Sequence, residues 1–162
     1  DLSFRRVQRI YPEVCDELNI AFFMIPKADV KYVRSECTVR QALETMHHGG
    51  YTAIPVVDKD GYYKGILREG DLLWYIVRGE GGEPHTMAIE NLESLHLEDV
   101  EYVRPDSILG RSVPITAPIE DLILRAMDVN FVPIVDDRGL FIGIVTRRAI
   151  IKHFYDKNIQ DK

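Results

Sequence analysis

Ile54-Pro55-Val56-Val57-Asp58-Lys59-Asp60-Gly61-Tyr62-Tyr63-Lys64-Gly65-Ile66-Leu67 and Val132-Pro133-Ile134-Val135-Asp136-Asp137-Arg138-Gly139-Leu140-Phe141-Ile142-Gly143-Ile144-Val145 are two copies of one pattern. Shifted by 78 residues without a gap, they match at Pro55/Pro133, Val57/Val135, Asp58/Asp136, Gly61/Gly139, Gly65/Gly143 and Ile66/Ile144. A supersecondary unit that cannot bury its own apolar face finds a partner in its twin, and clefts form between such copies. The duplication directs the search for function to those clefts.

Outward from each copy the same order of elements reads off. Val39, Ala42, Leu43 and Met46 fall at i, i+3, i+4 and i+7, the stripe of an amphipathic helix, with Thr38 as its N-cap and His47-His48-Gly49-Gly50 as its end. Thr52 to Asp58 is a short, apolar, β-branched run and predicts a buried strand; Asp58 to Gly61 is a turn, and Tyr62 to Leu67 a second strand. A helix with Leu72, Leu73 and Ile76 on one side follows. The second copy repeats this with the stripe Ile119, Leu122, Ile123, Ala126, strands Phe131 to Asp136 and Leu140 to Thr146, and a helix from Arg147 to about Tyr155. The first helices differ in register: Met46 stands nine residues before Pro55, Ala126 seven before Pro133. A short strand is expected before each helix, at Lys31 to Arg34 and Ser112 to Ile115. Asp29 to Arg34 is echoed by Asp99 to Arg104, but at a shift of 70, which reads as coincidence.

The chain's 162 residues suffice for one compact domain or two small halves sharing a core, and the repeat favours the halves. A net charge of -6 gives no reason to expect broad nucleic-acid affinity, and no apolar run approaches the roughly 20 residues that span a bilayer. The start has no signal-peptide layout, so a cytoplasmic protein is expected. Asp1 in place of an initiator Met implies a trimmed start or a piece of a longer chain. Cys15 and Cys37 stand outside any metal or redox spacing and read as reduced, packed thiols.

The arrangement Thr, apolar, Pro-Val-Val-Asp-x-x-Gly-x-x-x-Gly-Ile, met twice, resembles the CBS-domain pair, or Bateman module, over nearly all of residues 25 to 157. The resemblance implies an α/β (α+β) fold of two βαββα units packed sheet to sheet with pseudo-two-fold symmetry, and clefts that take adenine-containing nucleotides. Residues 1–24 then form an N-terminal helical segment, 25–78 the first repeat, 79–98 a linker, 99–157 the second repeat and 158–162 a tail. Within the linker, Gly79 to Pro84 is a flexible connector and Thr86 to Glu98 a short helix.

The family's nucleotide signature is Gly-h-x-Thr/Ser-x-x-Asp, its hydroxyl meeting phosphate and its Asp meeting ribose. Each copy keeps half: Gly65-Ile66-Leu67-Arg68-Glu69-Gly70-Asp71 has the Asp, and Gly143-Ile144-Val145-Thr146-Arg147-Arg148-Ala149 has the Thr. Thr146 is placed to N-cap the last helix. Arg147 and Arg148 would sit in its first turn, where each cation opposes the helix dipole by roughly 0.3–1 kcal/mol. That placement makes sense if an anion binds there; the alternative is that both arginines pair with surface carboxylates. The family completes this cleft with the segment before the Pro strand of the other copy, here Gly50-Tyr51-Thr52-Ala53-Ile54. Thr52 and Ala53 match nucleotide-contacting positions, and Tyr51 either stacks on a base or packs in the core.

These residues most resemble the stand-alone bacterial CBS proteins that bind cyclic di-AMP, in which paired arginines hold the phosphates and a lysine before the first strand adds a contact. The matching position here is Asp29, with Lys27 and Lys31 on either side, so Asp29 and Lys31 join the candidate site. A second, weaker cleft pairs Arg68, Glu69 and Asp71 with Asn130, Phe131 and Val132, and bulky Phe131 stands where Ala53 stands in the first. No cofactor is expected besides a regulatory adenine nucleotide: cyclic di-AMP first, then AMP, ADP or ATP. A homodimer and a protein partner are implied, with no nucleic-acid or membrane partner.

Adjacent His47 and His48 diverge on a helix and read as a solvated helix end rather than a metal site. Trp74 and Tyr75 pack either on a partner subunit or in the core. No nucleophile, base and orienting group form a constellation, so catalysis is not expected. The rival functions are a structural dimerisation or interaction module with vestigial clefts, and the regulatory piece of a larger enzyme or transporter.

Overall fold

A computed structural model describes residues 19–78 and 92–160 of the chain. The expected N-terminal segment up to residue 18, Cys15 and linker residues 79–91 lie outside them. In chain order the elements are α1 (Ile20–Phe23), β1 (Ile25–Pro26), a 3-10 helix (Lys27–Asp29), β2 (Val33–Arg34), α2 (Val39–Gly49), β3 (Ala53–Val57), β4 (Tyr63–Arg68) and α3 (Glu69–Arg78). A 3-10 helix (Leu97–Asp99), β5 (Val113–Pro114), α4 (Ile119–Ala126), β6 (Phe131–Val135), β7 (Phe141–Thr146) and α5 (Arg147–Gln160) follow. The βαββα order occurs twice, as the duplication requires.

The chain divides into a continuous unit, Lys31–Arg111, and a split unit, Asp1–Val30 with Ser112–Lys162. In the continuous unit the sheet runs β2-β3-β4, with β2 parallel and β4 antiparallel to β3, and Val103 bridges antiparallel to Ile66 on the far side of β4. In the split unit the sheet runs β1-β7-β6-β5, and β1 lies antiparallel to β7 with Ile25 opposite Ile144. Ile25/Ile144 and Val103/Ile66 are the same pair at the same shift of 78. The chain preceding each βαββα run thus supplies the strand beside β7 or β4, and spatial units and sequence repeats are different divisions of the chain. The echo at a shift of 70 is not the coincidence that the sequence suggests: each stretch opens on a 3-10 helix, Lys27–Asp29 and Leu97–Asp99, closed by Val30 N–H to Lys27 O and by Val100 N–H to Leu97 O. The two part only at Val33, which pairs parallel with Val56, and Val103, which pairs antiparallel with Ile66.

These added strands explain the second glycine of the pattern. A Cβ on Gly65 would collide with the backbone oxygen of Val103, and one on Gly143 with that of Ile25. Pro55 and Pro133 sit in central strands, where a missing N–H usually breaks a ladder. Here Ile66, opposite Pro55, exchanges both its backbone bonds with Val103. Pro55 therefore points its backbone toward β2, whose pairing starts one residue later at Val33/Val56. The shared Asp closes the turn: Asp58 Oδ1 accepts from the N–H groups of Asp60 and Tyr62, and Asp136 Oδ1 from those of Arg138 and Leu140. Burial pushes the Asp58 carboxyl up, but the Tyr62 and Asp60 N–H bonds and nearby Lys64 outweigh it and hold it below the ordinary range. Asp136 is lowered in the same way, by Leu140 and Arg138.

Each unit closes its own core. Val39, Ala42, Met46, Ile54, Val56, Leu67, Leu72 and Tyr75 cluster in the continuous unit; Ile20, Phe23, Ile119, Leu122, Ala126, Val132, Ile134 and Val145 do so in the split one. The helix stripes fall as the spacing predicts, apart from Leu73, which is 61% exposed rather than packed. Tyr75 takes the inward place instead, and Trp74 is exposed. Cys37 is half-buried, and burial pushes its thiol up to about 11, so it is a protonated, packed thiol at neutral pH.

Candidate functional site

Most of the candidate residues fall around the start of β3 or β6 and at the start of α3 or α5, one of each per unit, while Asp29 lies in a 3-10 helix and Lys31 just before β2. In the continuous unit, α2 starts with a full capping box, Thr38 accepting from Gln41 N–H and the Gln41 side chain from Thr38 N–H. It ends on Gly50 in the left-handed conformation at φ 64. Gly50 N–H donates to His47 O and Tyr51 N–H to Met46 O, the two bonds of a Schellman motif, so the helix end satisfies itself. Tyr51 then folds its ring over Gly49, where no Cβ would fit, while 38% exposed. Thr52 is exposed and Ala53 half-buried at the start of β3, across from Arg68. Ile54 corrects the sequence reading: its side chain is a core residue at 1% exposure, leaving only its backbone for a ligand.

Arg68 and Asp71, the polar members of the weaker cleft, are spent on each other. Asp71 Oδ2 accepts from Arg68 N–H at 2.9 Å and from its Nε at 3.3 Å, while Oδ1 accepts from Nη2 at 2.9 Å. The backbone bond is the N3-to-N-cap half of a capping box at the start of α3.

In the split unit, Thr146 makes the other half: its Oγ1 accepts from Ala149 N–H at 3.1 Å, N-capping α5 as expected. The Thr-x-x-Asp signature has the spacing of a capping box, and each repeat keeps one of its two bonds. Thr146 retains a hydroxyl proton to donate. Arg147 makes no ion pair with a carboxylate among the described residues. Its Nε donates to Ala126 O at 2.7 Å and its Nη2 to Met127 O at 3.0 Å. Its N–H donates to Asn130 O at 2.8 Å, as that of Glu69 does to Thr52 O in the first repeat. The guanidinium thus satisfies the end of α4, which has no glycine, and its charge stands at a helix C-terminus, where it is favourable. Arg148 is exposed, with no hydrogen bond or ion pair to any described residue.

The 3-10 helix Lys27–Asp29 lies against β7, which brings exposed Asp29 into the same unit as Thr146; Lys31 is exposed in the continuous unit. Asn130 is exposed with its carbonyl taken by Arg147, and Phe131 is half-buried across from Thr146. Val132 is a core residue at 0% exposure, so its side chain is also corrected out of the weaker cleft. Sequence reasoning missed the second job of Arg147. Its signal was the register difference upstream, where α4 stops early without a glycine.

The sequence model of the CBS domain matches residues 21–78 and 97–156. The chain belongs to the CBS-domain family. It is a tandem CBS pair, similar to cyclic di-AMP receptor B of Bacillus subtilis, with 25% identity over 139 residues that span 84% of this chain and 86% of that protein. The crystal structure of Listeria monocytogenes CbpB in complex with c-di-AMP superposes with a TM-score of 0.72 at 26% identity, covering 88% of this chain and 98% of that one. A homoserine O-acetyltransferase of Methanohalophilus mahii is 26% identical over 122 residues, which are 75% of this CBS pair but 22% of that enzyme. No helix among the described residues is long and apolar enough to cross a membrane.

Proposed function

We propose that this CBS pair is a non-catalytic regulatory module of the cytoplasm that senses an adenine nucleotide, cyclic di-AMP before AMP, ADP or ATP. The residues that take part in binding are Tyr51, Thr52, Ala53 and the Ile54 backbone, for the base, and Thr146, Arg147 and Arg148, for the phosphates, with Asp29 and Lys31 as further candidates. The observation that carries the reading is the start of α5. There the Thr146 hydroxyl accepts from Ala149 N–H and still has its own proton to donate, and the Arg148 guanidinium, which has no partner among the described residues, can meet an anion at a helix N-terminus. Similarity to a protein named for cyclic di-AMP and to a structure holding it supports this ligand over mononucleotides. The second candidate set is disfavoured, because Arg68 and Asp71 already bond to each other and the Val132 side chain faces the core.

Such a ligand regulates only through unequal affinity for two states of the module, which then offers a different surface to a partner protein. A homodimer fits one repeated feature. Leu73 and Ile151, and likewise Val77 and Tyr155, are exposed apolar residues at matching positions of the last helix in each repeat. The homoserine O-acetyltransferase match favours a second setting, the regulatory piece of a larger enzyme.

Calorimetric titration with cyclic di-AMP, AMP and ATP tests the reading. Cyclic di-AMP is expected to bind, and Arg148→Ala to weaken it about tenfold or more, the worth of one charge-assisted hydrogen bond. No heat from any of the three sinks the sensor reading and leaves the dimerisation module. Binding of AMP alone removes the cyclic dinucleotide.

A further inference from the structure

Helix α2 ends on two glycines, and the backbone explains only the second. Gly50 closes the helix at a left-handed φ of 64, and a Cβ built on it would meet nothing within 4 Å. Gly49 is still helical and is not among the glycines with positive φ, so its backbone would accept any residue, and glycine there weakens the last turn relative to alanine. What stands against a side chain at 49 is a ring: the three atoms nearest to a Cβ built there are Cε2, Cδ2 and Cζ of Tyr51, the first two well inside van der Waals contact. Counted from the shared Pro, the second repeat has Met127 and Val129 in these two places, so where the ring is missing the glycine is missing as well. The seated ring is not spent on the fold. Tyr51 is 38% exposed, and among the described residues neither a second ring nor a hydrogen bond engages its side chain. Thr52 and Ala53 follow it directly.

We propose that Gly49 is a positioning residue of the nucleotide site: by having no side chain it seats the Tyr51 ring on the end of α2, where the ring is held ready for an adenine base. A ring already seated has less rotamer freedom to lose when a base stacks on it. The helix end beneath it is firm, because the Gly50 and Tyr51 amides satisfy its last carbonyls. A Cβ at 49 displaces the ring and leaves the helix intact, since the atoms it strikes belong to an exposed side chain that can turn. One methyl group therefore separates the placement of the ring from the folding of the chain. This role rests on the nucleotide reading above.

Proton NMR of the ligand-free protein, urea unfolding and calorimetric titration with cyclic di-AMP decide it together. The ring current of Tyr51 is expected to displace the resonance of one Gly49 α-proton, and Tyr51→Ala to return it to its ordinary position. Gly49→Ala is expected to leave the urea midpoint about unchanged, because the gain in helix propensity offsets the lost ring contact. The same change is expected to weaken binding about two- to tenfold, the worth of one aromatic contact. Tyr51→Ala should weaken binding at least as much, and adding Gly49→Ala to it should cost no further affinity, because residue 49 acts through the ring. Tyr51→Phe, which keeps the ring on its seat, should bind as the unaltered protein does. Unchanged affinity in Gly49→Ala overturns the proposal by making the seat a packing feature only, and a further loss in the Tyr51→Ala background overturns it by giving residue 49 an effect without the ring. A steep loss of stability in Gly49→Ala overturns it too, since the ring is then part of the fold. An undisplaced Gly49 proton removes the seat itself. If the unaltered protein shows the displaced proton but gives no heat with cyclic di-AMP, the nucleotide reading has failed and takes the positioning role with it.

Discussion

Helices α2 and α4 occupy the same place in the two repeats and end in different ways. The first runs to Gly49, turns on a left-handed Gly50 and bonds its own last carbonyls through the next two amides. The second stops at Ala126 on a right-handed Met127, and two of its carbonyls take their donors from an arginine 21 and 20 residues further on. A glycine cap is self-contained and leaves the following helix start free to vary, as Glu69 shows. A borrowed cap ties the end of one helix to the start of another, and that start is where the candidate phosphate grip stands. The repeats share what builds the sheets and differ in what closes the helices, and the difference falls on the binding residues.

The largest test of the shared part is at the second glycine. Gly65→Ala is expected to destabilise by about 3–5 kcal/mol, since Gly65 has φ 139 and its Cβ would strike the Val103 oxygen. Gly143→Ala faces the Ile25 oxygen and the movable Met24 side chain without the dihedral strain, and is expected to cost about 1–3 kcal/mol. Urea unfolding of the two variants measures this; equal losses would show that the strand contact outweighs the backbone conformation.

The next test is at the divergent ends. Gly50→Ala should cost about 1 kcal/mol, because it places a Cβ at φ 64 in otherwise open space. A loss of several kcal/mol would mean that the α2 cap is no more self-contained than that of α4.

The smallest effect is in pH. Asp58 and Asp136 are held below the ordinary carboxylate value of 3.8, so the native state favours their ionised forms. Their contribution is complete above that value and is lost as the pH falls through their lower native values. Stability should therefore drop on acidification below about pH 4, and Asp58→Asn should flatten part of the drop. An unchanged acid limb in that variant would remove Asp58 from the account.

Period and spacing made most of the fold legible. The stripes 39/42/46 and 119/122/126 and the four long strands stand where they are expected, because each is a local pattern facing its own unit's core. Leu73 was not legible, since the apolar positions of α3 number more than its inward face holds and Tyr75 claims the place. The two-residue strand β1 and the Val103 bridge have no period to detect; only the glycines facing them betray a close approach. In the candidate site, the Thr146 cap was legible because capping is local. The engagement of Arg147 was not, because its acceptors are backbone atoms 21 and 20 residues away, and backbone acceptors carry no residue signature. For the same reason Ile54 and Val132 looked like site residues: alternation along a strand decides which way a side chain points, and both point inward.

The exchange of strands at Ile25 and Val103 also sets an order of events during synthesis. Everything the Lys31–Arg111 unit needs, Val103 included, has been translated before residue 112 is added, so that unit can close while the chain is still being made. The other unit joins residues from both ends of the chain. Its strand at Ile25 must wait, edge unpaired, until Phe141–Thr146 emerges more than a hundred residues later, as about the last sheet contact to form.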